Sequence, residues 1–459
     1  KIVNEYGPEA IATTSGTGRT HDEIRARFFN ILGSPNHIGA GEICYGPTCV
    51  MGYTLFGWRV FPVVRSNTRC IVLWGGGGPR YWDAFWRAAK KAKRDHEAKI
   101  IVIDPRRTDS TSHADLWLQI RPGTDCALAL GMIHHIIEED LYDKEFVKKW
   151  CYGFEQLKTW VQSYPIDRVA EITWIPGQKI RQAAEWYATL KPGVTNHGMG
   201  LEHQANSIQA LHAHYILSAI TGNIDIPGGD IFPSPYPNLI HEQEIVAHDR
   251  LSTQQIGKTL GIDRFRLMSR QGYDAVQSQV LKVWGRAANN RSSYECYAHA
   301  PTVYRAILSG KPYPVRAMIT LSSNPMVTQA NTKLVYEALK RLDLYVVIDF
   351  FMTPSAQLAD YVLPSTTYLE RPWLWTYSGI VGSERAMPRR IEGEYDRRDD
   401  YDIWRGLALQ LRQEEDWPWE TLEDVYDYRL EPIGLTFQDF MSRGGFLSIP
   451  KEHKRYEKV

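Results

Sequence analysis

No Cys-x-x-Cys pair occurs anywhere in the 459 residues. Zinc ribbons and iron–sulfur clusters need closely spaced thiolates, so neither is expected within these residues. The six cysteines (Cys44, Cys49, Cys70, Cys126, Cys151 and Cys296) are scattered, and a disulfide framework at this density is not expected. No apolar run reaches the length of a bilayer span, so no transmembrane segment is predicted. An excess of one charge is missing too, since 53 basic residues balance 53 acidic ones. That balance gives no argument for nucleic acid or for an acidic membrane surface as a partner. The chain also lacks an initiating Met and a signal peptide. It opens at Lys1 within a helical pattern and closes in a charged stretch after Pro450, and so reads as a piece of a longer polypeptide whose targeting stays open.

What is present is the composition of a globular protein, 43% hydrophobic and 23% charged. The length is too great for one simple core, and two or three domains are expected. Fifteen tryptophans and 25 tyrosines fit deep aromatic-lined clefts or large partner interfaces.

The chain also repeats itself. Near residue 100 it runs Val-Ile-Asp104-Pro-Arg-Arg-Thr108 and then Ala-Asp115; near residue 349 it runs Val-Ile-Asp349-Phe-Phe-Met-Thr353 and then Ala-Asp360. In both copies the threonine follows the first aspartate by four positions and the second aspartate follows it by eleven. Each copy is preceded by an apolar strand entering a tight turn: Cys70–Trp74 into Gly75-Gly76-Gly77-Gly78, and Met318–Leu321 into Ser322-Ser323-Asn324. Helical periodicity joins each turn to its aspartate strand, over Trp82–Ala92 in the first copy and Thr332–Leu342 in the second. Strand alternating with helix predicts a parallel, doubly wound α/β sheet in each copy.

Between and around the copies the periodicity predicts helices at 24–32, 127–138, 180–190 and 208–221. After Glu370 it predicts only one, at about 400–412. Thr13–Thr20 reads as a loop, Gly46-Pro47 as a turn that leaves Cys44 in a loop, and residues 230–300 as polar and irregular with uncertain helices.

A turn at the carboxyl end of a parallel strand presents backbone N–H groups at the start of the next helix, a preformed anion site. An acid at the end of the next strand is placed to accept hydrogen bonds from a ribose or a base. Neither turn is Gly-x-Gly-x-x-Gly and neither carries Gly-Lys-Ser/Thr, which disfavours NAD or FAD and ATP hydrolysis. Strand-end aspartates also cap helices and glycine turns also simply turn. Matched polar residues at matched offsets argue for two nucleotide-type sites, because packing alone does not demand them.

Several stretches then resemble one family: Ile103–Thr108, Arg121-Pro122-Gly123-Thr124-Asp125, Leu141–Val147, Ser323-Asn324-Pro325 and Ala359–Pro364. They are similar to the molybdenum and tungsten oxidoreductases of the dimethyl sulfoxide reductase superfamily. The resemblance implies two pseudo-symmetric α/β domains of the formate dehydrogenase/DMSO reductase type. Residues 1–43 with 230–430 would form a discontinuous domain, 44–229 an inserted Rossmann-like domain, and 431–459 a tail leading to a further C-terminal domain. Each domain would hold one of two molybdopterin guanine dinucleotides around a single Mo or W ion. Gly75, Gly76, Gly77, Gly78, Asp104, Arg106, Thr108, Gly123, Thr124 and Asp125 would serve one dinucleotide. Ser322, Ser323, Asn324, Asp349 and Thr353 would serve the other, with Asp360 adding to that site or only stabilising its loop.

Cys44 stands where the family places its metal ligand, and a soft thiolate suits Mo or W; Cys49 is the nearest rival, and a buried structural cysteine the plain alternative. Tyr45 and His203 are the further candidates near the substrate. A 4Fe–4S cluster is expected in an N-terminal domain outside the chain, with an iron–sulfur electron-transfer subunit as partner if the reaction is redox. The leading expectation is two-electron transfer, of an oxygen atom or hydride equivalent, with a small-molecule substrate. The alternatives are a non-redox tungsten hydratase of the acetylene hydratase type and a cofactor-free scaffold subunit.

Overall fold

The computed structural model describes the chain except residues 17–21, 40, 42–43, 77–82, 234–235, 285–297, 377–382, 394 and 459. It divides into two compact units. Unit 1 comprises Lys1–Glu42, Ser234–Leu281 and Arg286–Pro450, and unit 2 comprises Ile43–Pro233, Lys282–Gly285 and Lys451–Val459.

Among the described residues nine strands build the main sheets: β1 (Ile11–Ser15), β2 (Asn36–Gly39), β3 (Cys70–Trp74), β4 (Lys99–Ile103), β5 (Leu116–Leu118), β6 (Gly193–His197), β7 (Ala317–Leu321), β8 (Leu344–Asp349) and β9 (Tyr361–Pro364). In unit 1 the order is β9-β8-β7-β1-β2, and in unit 2 it is β5-β4-β3-β6. Every pairing in both sheets is parallel. The architecture is therefore α/β with mainly parallel sheets. Both sheets read as apolar runs because helices cover them: Ile71, Ile100, Val102 and Val194 join Trp86 and Ala89 in one core of unit 2. In unit 1, Met318 and Val347 pack with Val335, Ala338 and Leu339 of the helix Thr332–Arg341.

One expectation is overturned at the amino end. Thr13, Thr14 and Ser15, read as loop, lie inside β1, between β2 and β7. Threonine is β-branched and suits a strand, and here its hydroxyl need is met in the core. Thr13 Oγ1 donates to Ile319 O at 2.9 Å and accepts from Arg25 Nη1 at 3.2 Å. Gly46-Pro47, read as a turn, instead starts a helix, Gly46–Phe56, where the missing proline N–H costs nothing.

The carboxyl-terminal part holds more helix than its composition suggested. Besides Asp400–Gln410 there are Leu422–Leu430 and Phe437–Ser442. Each of those two starts with a Thr-x-x-Asp capping box, Thr421 with Asp424 and Thr436 with Asp439. They bury Val425, Tyr426, Leu430 and Phe440 in the same core as Phe28, Phe29 and Trp404. Within residues 230–300, where the sequence leaves helices uncertain, Arg270–Trp284 is helical. No helix among the described residues is long and apolar enough to cross a membrane.

Candidate functional site

The two strand-end turns correspond residue for residue. Trp74 pairs with Ile103 and Leu321 with Ile348, which sets Gly75 beside Asp104 and Ser322 beside Asp349. Gly75 N donates to Ile103 O at 2.8 Å, and Ser322 N donates to Ile348 O at 2.9 Å. Both turns need a positive φ, +63° at Gly75 and +47° at Ser322. Glycine takes that conformation without strain, while Ser322 must be held in it by its surroundings.

A second glycine backs each turn. Gly198 follows β6 and donates its N–H to Trp74 O at 2.9 Å; Gly16 follows β1 and donates to Leu321 O at 3.2 Å. A Cβ on Gly198 would stand 2.3 Å from Gly76 Cα, and one on Gly16 would stand 2.1 Å from Ser322 O. Both positions therefore exclude any larger residue.

The two first aspartates also match. Asp104 Oδ1 accepts from Arg106 N at 2.8 Å, and Asp349 Oδ1 accepts from Phe350 N at 2.6 Å and Phe351 N at 3.1 Å. One carboxylate oxygen of each thus holds the bend beyond its strand. The threonines cap the next helical turns: Thr108 sits at the N-cap of Asp109–Ser112, and Thr353 Oγ1 accepts from Ala356 N at 3.2 Å. The second aspartates work elsewhere. Asp115 Oδ2 accepts from Ile100 N at 2.9 Å and Asp360 Oδ2 from Tyr345 N at 2.7 Å, each tying a strand start to its neighbour.

Of the other candidates, Asn324 Oδ1 accepts from Ser355 Oγ at 2.7 Å, fixing the turn that Ser323 shares. Arg106 and Gly123 are exposed, and Thr124 begins the helix Asp125–Glu138. Asp125 is buried with both oxygens engaged, by Trp74 Nε1 at 2.8 Å and by Gln204 Nε2 at 3.1 Å. It ties the first turn to the 198–204 loop, and burial raises its pKa. Gly77 and Gly78 lie outside the described residues.

Cys44 and Tyr45 are half-buried in the turn that leads into the helix Gly46–Phe56. Cys49, the rival thiol, is buried within that helix. The Tyr45 ring stacks on Phe61 at 5.5 Å and lies parallel to His197, with centroids 6.2 Å apart. His203 is exposed at the end of the short helix Met199–Glu202.

Beside this loop lies a buried polar cluster that the sequence reading missed. Thr48 Oγ1 is 2.7 Å from His197 Nε2 and also bonds Glu202 Oε1. Burial raises the Glu202 pKa to about 8 and lowers that of His197 to about 4. His214, whose ring is 4.7 Å from that of His197, is pushed well below its ordinary value by burial and by His197. Its Nε2 is 2.7 Å from Thr195 Oγ1, and Thr195 N donates to Asp230 Oδ1 at 3.1 Å. The signal was an acid inside the apolar stretch Met199-Gly200-Leu201-Glu202, overshadowed by its neighbour His203.

A family model described as molybdopterin oxidoreductase matches residues 1–410. The chain belongs to that family. It is 35% identical to acetylene hydratase of Syntrophotalea acetylenica over 453 residues, 98% of this chain and 61% of that protein. It is 26% identical to the thiosulfate reductase molybdopterin-containing subunit of Salmonella typhimurium, over 96% of this chain and 56% of that protein. The solved structure of acetylene hydratase from Pelobacter acetylenicus superposes with a TM-score of 0.90 at 34% identity, covering 98% of this chain and 62% of that one. The chain thus spans about three fifths of the length of these relatives. The family implies a molybdenum or tungsten pterin cofactor.

Proposed function

We propose that this chain is the cofactor-holding middle part of a tungsten or molybdenum enzyme with two molybdopterin guanine dinucleotides, and that the whole enzyme is a hydratase of the acetylene hydratase type. The carrying observation is the 35% identity to that enzyme over nearly the whole chain, against 26% for the thiosulfate reductase subunit.

The residues fit such a group. Among the described residues the face of Gly76 has no neighbour nearer than 4.0 Å and that of Gly123 none within 4 Å, so these leave room for a pyrophosphate to approach the backbone at both. Asp104 and Asp349 each commit one oxygen to the local bend, which leaves the other to accept from a ribose or base. Gly75, Gly76, Asp104, Arg106, Thr108, Gly123 and Thr124, with Gly77 and Gly78, serve one dinucleotide in the inserted domain 44–229. Asp125 serves it by fixing the turn. Ser322, Ser323, Asn324, Asp349 and Thr353 serve the other in the discontinuous domain 1–43 with 230–430, where Asp360 steadies the strand. Residues 431–459 lead towards a further domain.

Cys44 supplies a thiolate ligand. When bound, the pterin-held metal supplies a Lewis-acid centre that can also change its charge by two electrons. Tyr45 and His203 bind and orient the small-molecule substrate.

The second reading is a two-electron oxidoreductase, favoured by the match to thiosulfate reductase and by the family's description. It calls for a 4Fe–4S cluster outside this chain and an iron–sulfur partner subunit. Metal and released GMP are to be measured on the full-length protein, then acetylene hydration against dye-linked turnover. Less than one Mo or W with no GMP sinks both readings. Dye-linked turnover without hydration selects the second.

A further inference from the structure

Glu202 is 4% exposed and is the only charged-type side chain of its short helix, Met199–Glu202. Its Oε1 meets the Thr48 hydroxyl, while Oε2 is buried and has no hydrogen-bond partner among the described residues. Hydrogen bonds from the Thr48 hydroxyl and backbone N–H favour the ionised form, but burial outweighs both, because an ionised carboxylate there would strand a charge in the interior. A neutral acid resolves the pattern. With the carboxyl ionised, the Thr48 hydroxyl donates to Glu202 Oε1; with a hydrogen on Oε1 that bond reverses, the acid O–H donates to Thr48 Oγ1, and the Thr48 hydroxyl is free to donate to His197 Nε2, 2.7 Å away. The order acid, hydroxyl, imidazole gives each hydrogen one acceptor. His197 lies parallel to the Tyr45 ring, one residue from Cys44.

We propose that Glu202, linked to His197 through the Thr48 hydroxyl, is the buried proton-holding group behind the Cys44–Tyr45 loop. The inference rests on the reading of Cys44 as a metal ligand and adds to it a route for a proton. In the transfer the carboxyl hydrogen moves to Thr48 Oγ1 as the Thr48 hydrogen moves to His197 Nε2. A carboxylate, an intact hydroxyl and an imidazolium result, with no change in oxidation state. The imidazolium can then release a proton from its other nitrogen. Glu202 acts through these two residues and is a positioning residue, not one that touches substrate.

The surroundings support storage of a proton at neutral pH. The groups facing Glu202 are Thr48 from the helix Gly46–Phe56, His197 from β6 and Tyr215 from the helix Ser207–Ile220, which also senses Cys49. None of them is cationic near pH 7: His197 is held down to about 4, and burial lifts Tyr215 well above its ordinary value. Glu202 itself titrates at about 8.

The test is an infrared pH titration of the full-length holoenzyme beside its pH–rate profile, using whichever of hydration or dye-linked turnover it performs. A carboxylic-acid C=O band is expected at neutral pH, lost with a midpoint near pH 8 and absent from Glu202→Gln. Turnover of that variant should fall about tenfold to hundredfold, as for groups that orient a first ligand shell, and its alkaline limb should vanish. Thr48→Val keeps the acid and cuts the link, so it should keep the band and share the kinetic defect. The proposal is overturned if the band is missing at neutral pH, or if Glu202→Gln leaves the pH–rate profile superimposed on the wild type. It also falls if the wild type holds no Mo, W or GMP, a failure of the cofactor reading that metal analysis recognises separately from the band.

Discussion

Asp230→Asn tests whether unit 2 buries a proton along with its polar side chains. Asp230 is 1% exposed and accepts from Thr195 N at 3.1 Å and from Ser218 Oγ at 2.7 Å. Burial outweighs these two bonds and lifts its pKa from 3.8 to about 7. The native value is the higher one, so between the two values the native state holds a proton that the unfolded chain has released. Stability is therefore full in acid and declines with rising pH until the native group ionises near 7. A shift of about three units corresponds to roughly 4 kcal/mol, and about 3 kcal/mol of it is lost between about pH 5 and about pH 8. Asparagine keeps the acceptor for Thr195 and offers an amide donor to Ser218. The Ser218 hydroxyl can turn towards Tyr187 OH, 3.0 Å away. The variant cannot ionise, so its unfolding free energy relative to the wild type should rise by about 3 kcal/mol over that range. Urea unfolding followed by tryptophan fluorescence in matched buffers measures the difference. Parallel stability curves for the two proteins would refute the reasoning, as would an advantage that shrinks with rising pH.

Cys44→Ser replaces a soft thiolate with a hard oxygen, and metal analysis of the full-length variant should show most Mo or W lost while Cys49→Ser retains it. Gly198→Ala and Gly16→Ala push a methyl into backbone, and each should cost about 1–3 kcal/mol or more in thermal or urea unfolding. Ala substitution at exposed Gly406, inside the helix Asp400–Gln410 and with no neighbour among the described residues within 4 Å of its Cβ position, is the control expected to keep stability or raise it by up to about 1 kcal/mol. Asp104→Asn and Asp349→Asn keep the acceptor that holds the bend and remove the charge. Each should weaken its own dinucleotide by about 1.5–3 kcal/mol, read as less GMP released by acid with unchanged circular dichroism.

Much of the fold was legible because apolar strands and amphipathic helices carry their own periods. Cys70–Trp74 was read to the residue, and the helices near 127–138, 180–190, 208–221 and 332–342 were placed to within three residues at either end. What escaped was decided by tertiary partners. Thr13 is strand because Ile319 O and Arg25 complete its hydrogen bonds, and neither is near it in sequence. The helices at 422–430 and 437–442 were hidden by charge, although their Thr-x-x-Asp starts were visible. At the candidate site, the doubled aspartates and threonines could be found by counting, but their division of labour could not. Asp104 and Asp349 hold bends beside the turns, whereas Asp115 and Asp360 tie strand starts, a distinction that only the register supplies.

The glycines behind the turns show why a repeat can be half visible. Gly198 and Gly16 do the same work, each donating to the last carbonyl of the central strand and each leaving no room for a side chain. In unit 2 the strand that carries this glycine, β6, comes after the aspartate unit, at Gly193–His197. In unit 1 the corresponding strand, β1, comes before it by some 300 residues. Linear comparison aligns the parts that keep their order, strand, turn, helix and aspartate, and passes over the part that is permuted. The sheet restores the match, because β6 lies against β3 as β1 lies against β7. Packing alone requires a close backbone contact at one turn. It does not require the same contact, the same donor and the same positive φ at two turns whose sequences, four glycines and Ser-Ser-Asn, have nothing in common. That shared demand falls on the shape of the turn itself, as expected if both turns present their backbone to the same kind of ligand.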